Sequence, residues 1–190
     1  MQEKTAPLST EKAEQLLTKH VTTDWLKKHS IASAAVLSEL SDILDMDKDT
    51  LWVIGLLHDL DFDITQDPSV HGTKSAEILH EHGYPEYVMS AIQSHNAEGL
   101  GLERSKPIEH AITCSETITG LIVATALVMP DKKLASVKAS SVNKRMKKKD
   151  FAKKVNRDRI RECEQIGLEV PVFIERALSG MNKVSDRLEL

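Results

Sequence analysis

Five residues with good metal-binding side chains recur along the first half of this chain: His29, the adjacent pair His58-Asp59, His71 and His95. A carboxylate, Glu116, follows in the next apolar stretch. The pair lies in GLLHDLDFD, residues 55–63, at the end of an apolar run. An imidazole and a carboxylate side by side are costly to bury unless something satisfies them. A divalent cation would do so and would give the chain a chemistry. Successive residues of a helix point about 100° apart. His58 and Asp59 therefore reach one ion only if the flank of the helix lies beside it, or if Asp59 bridges two. An isolated His-Asp dipeptide also fits a helix end with an ordinary core histidine, so the neighbours decide.

The elements that must position these residues read almost entirely as helix. Ser9 or Thr10 caps a first short helix with Ala13, Leu16 and Leu17 on its apolar side. Thr23 precedes a second, with apolar positions at Trp25, Ile31, Ala35, Leu40, Ile43 and Leu44 and an expected break near Ser30. Asp47 caps a third, which puts Leu51, Ile54, Leu57 and His58 on one face. A loop, DFDITQDPS, follows. Residues 72–82 read as helix ending at Gly83, and Pro85 opens the helix that carries Val88, Ile92 and His95. The segment NAEGLGLERS reads as loop, and Pro107 starts a long helix that Pro130 stops. Beyond it, helices are expected over about 140–155, 156–166 and 171–180. No stretch alternates apolar and polar residues as a half-buried strand would. The fold class is all-α, a compact bundle of seven to nine helices with no substantial sheet.

Composition is that of an ordinary soluble protein, 41% hydrophobic and 28% charged, long enough for one domain with a real core. The net charge of −4 gives no general attraction to nucleic acid or anionic membranes. The polar start, MQEKTAPLSTEKAEQ, lacks the apolar core of a secretory leader. The longest apolar segment, ITGLIVATALVM, falls short of the roughly 20 residues that span a bilayer. Cys114 and Cys163 have no paired spacing, which suits a reducing compartment, and a cytoplasmic location is the expectation. The tail around SVNKRMKKKDFAKKVNRDRIR is basic, yet no interleaved aromatic residues offer to stack bases, so nucleic-acid binding is not expected. No GxSxG elbow, glycine-rich phosphate loop or HExxH occurs.

Taken in order, the chemistry-bearing residues resemble the HD-domain superfamily of metal-dependent phosphohydrolases. His29 in KKHSIASAAVLSEL is similar to the first ligand, and GLLHDLDFD to the central motif. Glu116, in HAITCSETITGLIVATAL, stands where the family normally has Asp. His71 before Gly72 and His95 at the end of YVMSAIQSHN look like the extra ligands of members that hold two metals. The resemblance covers about residues 25–130. It implies one HD-type helical domain over 1–190, with a core at about 25–130 and Lys-rich C-terminal helices at about 132–182. It implies one or two divalent transition ions (Fe, Mn, Ni, Co or Zn) on His29, His58, Asp59, His71, His95 and Glu116, with Asp59 as the catalytic residue. The implied reaction is attack of a metal-activated water on a nucleotide or other small phosphate ester. Some two-iron members are instead oxygenases, and a degenerate bundle would only bind a ligand or partner.

Two departures bear on that reading. Glu116 is one methylene longer than Asp. The common HDIGK version puts a lysine after the pair, whereas this chain has Asp61 and Phe62, so no cation stands there to neutralise a phosphate. Asp61 and Asp63 could orient a water or donate a proton; as acids on a loop they read first as solvated. His20, His80, His82 and His110 have no partner pattern, and Cys114 reads as packed inside the long helix.

Overall fold

A run of small residues sets the centre of the fold. A computed structural model describes residues 8–190, so the polar-leader reading of residues 1–7 lies outside it. Helix α1 (Thr10–His20) starts at Ser9, whose hydroxyl accepts from the Lys12 N–H. Helix α2 (Asp24–Ser38) follows and is unbroken. The break expected at Ser30 is absent because a serine costs a helix only about half a kcal/mol, and Ser30 turns inward, fully buried. After α3 (Ser41–Leu44), Asp47 caps α4 (Lys48–Leu57) by accepting from the Thr50 N–H at 3.0 Å. Helices α2 and α4 touch backbone to backbone: a Cβ on Gly55 would stand 2.6 Å from the Ala34 Cα, closer than any side chain tolerates.

Helix α5 (Thr73–Glu81) turns through Gly83 into α6 (Glu86–Ser94). The segment read as loop after His95 contains a single turn, α7 (Ala97–Leu100), closed by Gly101 in the left-handed region. Helix α8 (Pro107–Leu127) begins as the sequence predicts, and the Glu109 carboxylate accepts the N–H groups of Ser105 and Lys106 at its start. Contrary to the length argument above, α8 is long and apolar enough to cross a bilayer. It packs along α2 and α6, and 67% of its most apolar stretch is buried in the fold.

The basic tail departs most from expectation. The helix expected to reach residue 155 ends as α9 (Ala139–Met146), after which Lys147, Lys148 and Lys149 begin a series of turns. Arg157 pins those turns, donating to the carbonyls of Ala152, Val155 and Phe151. Three donors spent on carbonyls are what a continued helix would have satisfied itself. Helix α10 (Arg157–Arg161) is correspondingly short, capped by Asn156 and continued by a 3₁₀ turn, Glu162–Ile166. Helix α11 (Val170–Lys183) runs past Gly180, which serves packing rather than termination: a Cβ there would lie 2.5 Å from the Ala35 carbonyl oxygen. Helix α12 (Ser185–Leu188) ends the chain. Among the described residues there are twelve α-helices and no strand. The fold is all-α, and one cluster of buried apolar side chains runs from Ala13 to Leu188.

Candidate metal centre

His29, His58, Asp59, His71 and His95 meet at one point. His29 comes from α2, His58 is the C-cap of α4, and Asp59 follows it in the turn. His71 stands in the turn before α5, and His95 is the C-cap of α6. His58, Asp59 and His95 are buried; His29 and His71 keep one edge accessible. Asp59 is the hinge of the arrangement. Its Oδ2 lies 3.6 Å from His29 Nε2 and 3.4 Å from His58 Nε2. Its Oδ1 lies 3.3 Å from both His71 Nε2 and His95 Nε2. Within the pairs, Nε2–Nε2 separations are 3.2 Å for His29 and His58 and 2.8 Å for His71 and His95. Two donors about 2.1 Å from a common ion and 90–109° apart lie about 3.0–3.4 Å from each other. The residues thus form two three-donor groups that share Asp59, with separations of 2.8–3.6 Å that bracket the spacing of a coordination shell.

Hydrogen bonding on the far side of each ring fixes which nitrogen faces inward. His58 Nδ1 donates to the Gly55 carbonyl at 2.8 Å and His95 Nδ1 to the Ile92 carbonyl. Both acceptors are three residues back, among the carbonyls a helix end leaves free. His71 Nδ1 donates to Asp61 Oδ1 at 2.8 Å. The Thr119 hydroxyl spends its proton on the Glu116 carbonyl, so at 3.1 Å it accepts from His29 Nδ1. With all four Nδ1 atoms donating, each ring, when neutral, turns a bare Nε2 lone pair toward the others and toward a carboxylate. Such a cluster is repulsive until a cation enters it, and outer hydrogen bonds of this kind are how metal-ligating histidines are oriented.

Electrostatics point the same way. Burial holds the His58 ring down at about 3, with His95 and His29 adding to the effect and Asp59 opposing it. Burial resists ionisation of Asp59, but His58, His71 and His95 hold its carboxyl well below the usual range. Burial alone would lower His71; hydrogen bonds and charge from Asp59 and Asp61 instead lift it to about 9. Without a cation, the cluster draws a proton onto its most acid-flanked ring.

Several side chains stand differently from the sequence reading. Asp61 is fully buried rather than solvated: besides His71 it accepts the Gly72 N–H at 2.7 Å and the Ser75 N–H at 3.2 Å. Its carboxyl lies below the usual range; burial opposes this, and the His71 contacts with those N–H groups outweigh it. Asp63 is not a free acid either. It accepts the N–H groups and hydroxyls of Thr22 and Thr23, fixing the start of α2. His110, read as having no partner, meets Glu162 Oε2 at 2.9 Å. Cys114 is buried as expected. Glu116 lies at the rim: Oε2 is 4.0 Å from His29 Nε2, outside both three-donor groups, while Oε1 accepts from the Thr117 hydroxyl at 2.6 Å.

The cluster opens into a cleft of about 340 Å³, lined also by Trp25, Phe62, Asn96, Glu116 and Arg159. Arg159 is the residue the sequence reading missed. It comes from α10 in the basic tail, about a hundred residues from the pair, where its only visible signal was membership of a charge run. Residues 26–119 match the family model of the HD domain, a span that holds all six expected ligands and excludes Arg159. No curated protein and no solved structure matches the chain.

Proposed function

The chain belongs to the HD-domain superfamily, and from that premise we propose that it is a metal-dependent phosphohydrolase acting on a small phosphate ester or nucleotide. HD domains are generally hydrolase-like and bind divalent metals. The observation that carries the reading is the convergence of four imidazole Nε2 atoms on the two oxygens of Asp59. In this reading His29, His58 and Asp59 would hold one ion, and His71 and His95 with Asp59 a second. Glu116 is the remaining donor on the His29 side. An imidazole-rich set of this kind suits Fe, Mn, Co, Ni or Zn. Bound divalent ions supply an acidified water and positive charge for phosphoryl oxygens.

The chain's own groups do the rest. Asp61 keeps the His71 ring in the orientation and tautomer that turn Nε2 inward. The carbonyls of Gly55 and Ile92 do the same for His58 and His95. Trp25 and Phe62, ring centroids 5.8 Å apart and edge to face, give the cleft an apolar wall for the organic part of an ester. A cleft of about 340 Å³ is at the small end of ligand sites, which suits a small ester or mononucleotide rather than a polymer.

The test is phosphate release by protein purified without added metal, reloaded with single ions, against nucleotides and simple monoesters. Chelation is expected to abolish release, and His58→Ala to lose both metal and activity. A metal-replete protein that releases no phosphate across the panel would retire the reading. The same imidazole set also suits a pair of irons, so oxygen consumption by an iron-loaded sample would favour an oxygenase. Metal retention with neither activity would favour a binding module.

A further inference from the structure

The cleft contains a cation with unmet hydrogen-bonding capacity. Arg159 Nε and NH2 are enclosed by protein, and neither has a hydrogen-bond partner among the described residues. Its nearest charges are carboxylates held just out of bonding range: Glu116 Oε1 at 3.6 Å and Glu98 Oε2 at 3.7 Å. A guanidinium offers five donors in a planar fork matched to carboxylate and phosphate oxygens. Leaving buried donors of a charged group unpaired is costly. About a quarter of the Arg159 side chain stays accessible and it lines the cleft, so its guanidinium can meet an anion that enters there.

The placement is built rather than incidental. Asn156 caps α10 by accepting the N–H groups of Asp158 and Arg159, which fixes the backbone at Arg159. Arg157 clamps the turns before it. Glu162, just after it, is tied to Arg104 at 3.0 Å and to His110 at 2.9 Å. Arg104 in turn donates to the carbonyls of Ser94 and His95, so the tail is fastened to the very helix end that presents His95. Its neighbour Arg161, by contrast, reaches only Glu164 among the described residues, on the surface, with half its side chain exposed.

We propose that Arg159 is the substrate-anion anchor of this cleft: its fork binds the oxygens of a phosphoryl group presented to the Asp59 cluster, and Glu116 and Glu98 hold the fork in place. The inference rests on the phosphohydrolase reading for its choice of anion, and it assigns to the tail, outside the HD match, a direct part in substrate recognition. It makes the chain selective for esters whose phosphoryl group is terminal and doubly charged over diesters, which offer fewer free oxygens to a fork.

The experiment measures binding of inorganic phosphate by calorimetry to metal-loaded full-length protein. Wild type, Arg159→Met, Arg159→Lys and the control Arg161→Met are compared, with metal content and helical circular dichroism recorded for each. Loss of one charge-assisted anchor predicts phosphate binding about ten- to hundredfold weaker in R159M with metal content unchanged. R159K should recover part of that loss, and R161M should match wild type. Where the proteins hydrolyse monoesters, R159M should raise KM more than it lowers kcat. Phosphate binding by folded, metal-loaded R159M equal to wild type overturns the proposal. Should R159M fail to fold, R159K decides, since affinity in it unchanged from wild type removes the fork from recognition. If no variant hydrolyses any ester while phosphate binding still depends on Arg159, the anchor stands and the phosphohydrolase reading alone falls.

Discussion

The two halves of the candidate metal centre present the same donors by different means. His29 and His58 ride on α2 and α4, and their separation is set by the backbone contact at Gly55 and Ala34. Their outer partners are a hydroxyl on α8 and a main-chain carbonyl. His71 and His95 rest on a turn and a helix end. Gly72, with φ +88°, lets the chain double back, and the buried Asp61 ties ring, turn and the start of α5 together. One half is therefore fixed by volume and the other by charge. A protein can place a metal-binding nitrogen either by close packing or by a buried carboxylate, and the two should fail under different substitutions.

The largest effect is expected where the halves join. Asp59→Ala removes the carboxylate that the two halves share, one oxygen facing each, and elemental analysis should find both ions gone and phosphate release abolished. An intact ion in either half of that variant would show the halves to be independent. Next comes the volume-fixed half. Gly55→Ala forces α4 away from α2 and should cost about 1–3 kcal/mol in denaturant unfolding. It should also weaken metal retention by His29 and His58 first. Unchanged stability would mean the helices slide apart freely.

The charge-fixed half should respond to Asp61→Asn, which keeps shape but loses an acceptor for His71 and the charge. Losing such an outer partner typically lowers metal affinity about 10–100-fold. The stoichiometry should fall from about two ions toward one, with unfolding less affected than in G55A. Equal loss from both halves would contradict the division. The smallest effect lies outside the centre, at Asp63, whose hydrogen bonds to Thr23 and Thr22 hold its carboxyl at about 2. This acid is solvent-exposed, so its contribution is below about 1 kcal/mol. Because the folded value lies below the ordinary 3.8, that stability is complete above pH 4 and fades as pH falls toward 2. Melting curves of wild type and Asp63→Asn should differ at pH 7 and converge near pH 2, and a gap that persists there would mean the cap does not depend on charge.

Much of this was open to reading in the one-dimensional pattern. Helical periodicity, the caps at Ser9 and Asp47 and the proline at the start of α8 are local signals, and each reappears in the fold. The expected break at Ser30 failed because burial against α4 and α11 outweighs a weak local preference. The helix expected over 140–155 failed because its satisfaction comes from Arg157, whose reach cannot be inferred from a lysine-rich run. Asp61 looked like any acid on a loop. Its three N–H partners belong to the His71 ring, the turn at Gly72 and the start of α5, which only folding brings over it.

The types and order of the candidate ligands were the sequence's own contribution: His29, His58-Asp59, His71, His95 and Glu116 could be named because in that order they resemble the HD-domain pattern. Which oxygen of Asp59 serves which pair, which ring nitrogen faces inward, and that Arg159 joins the cleft were decided only in three dimensions. Those facts depend on contacts between residues tens to a hundred positions apart, created when helices bury their apolar faces against each other. Local chain chemistry carries no record of such distances.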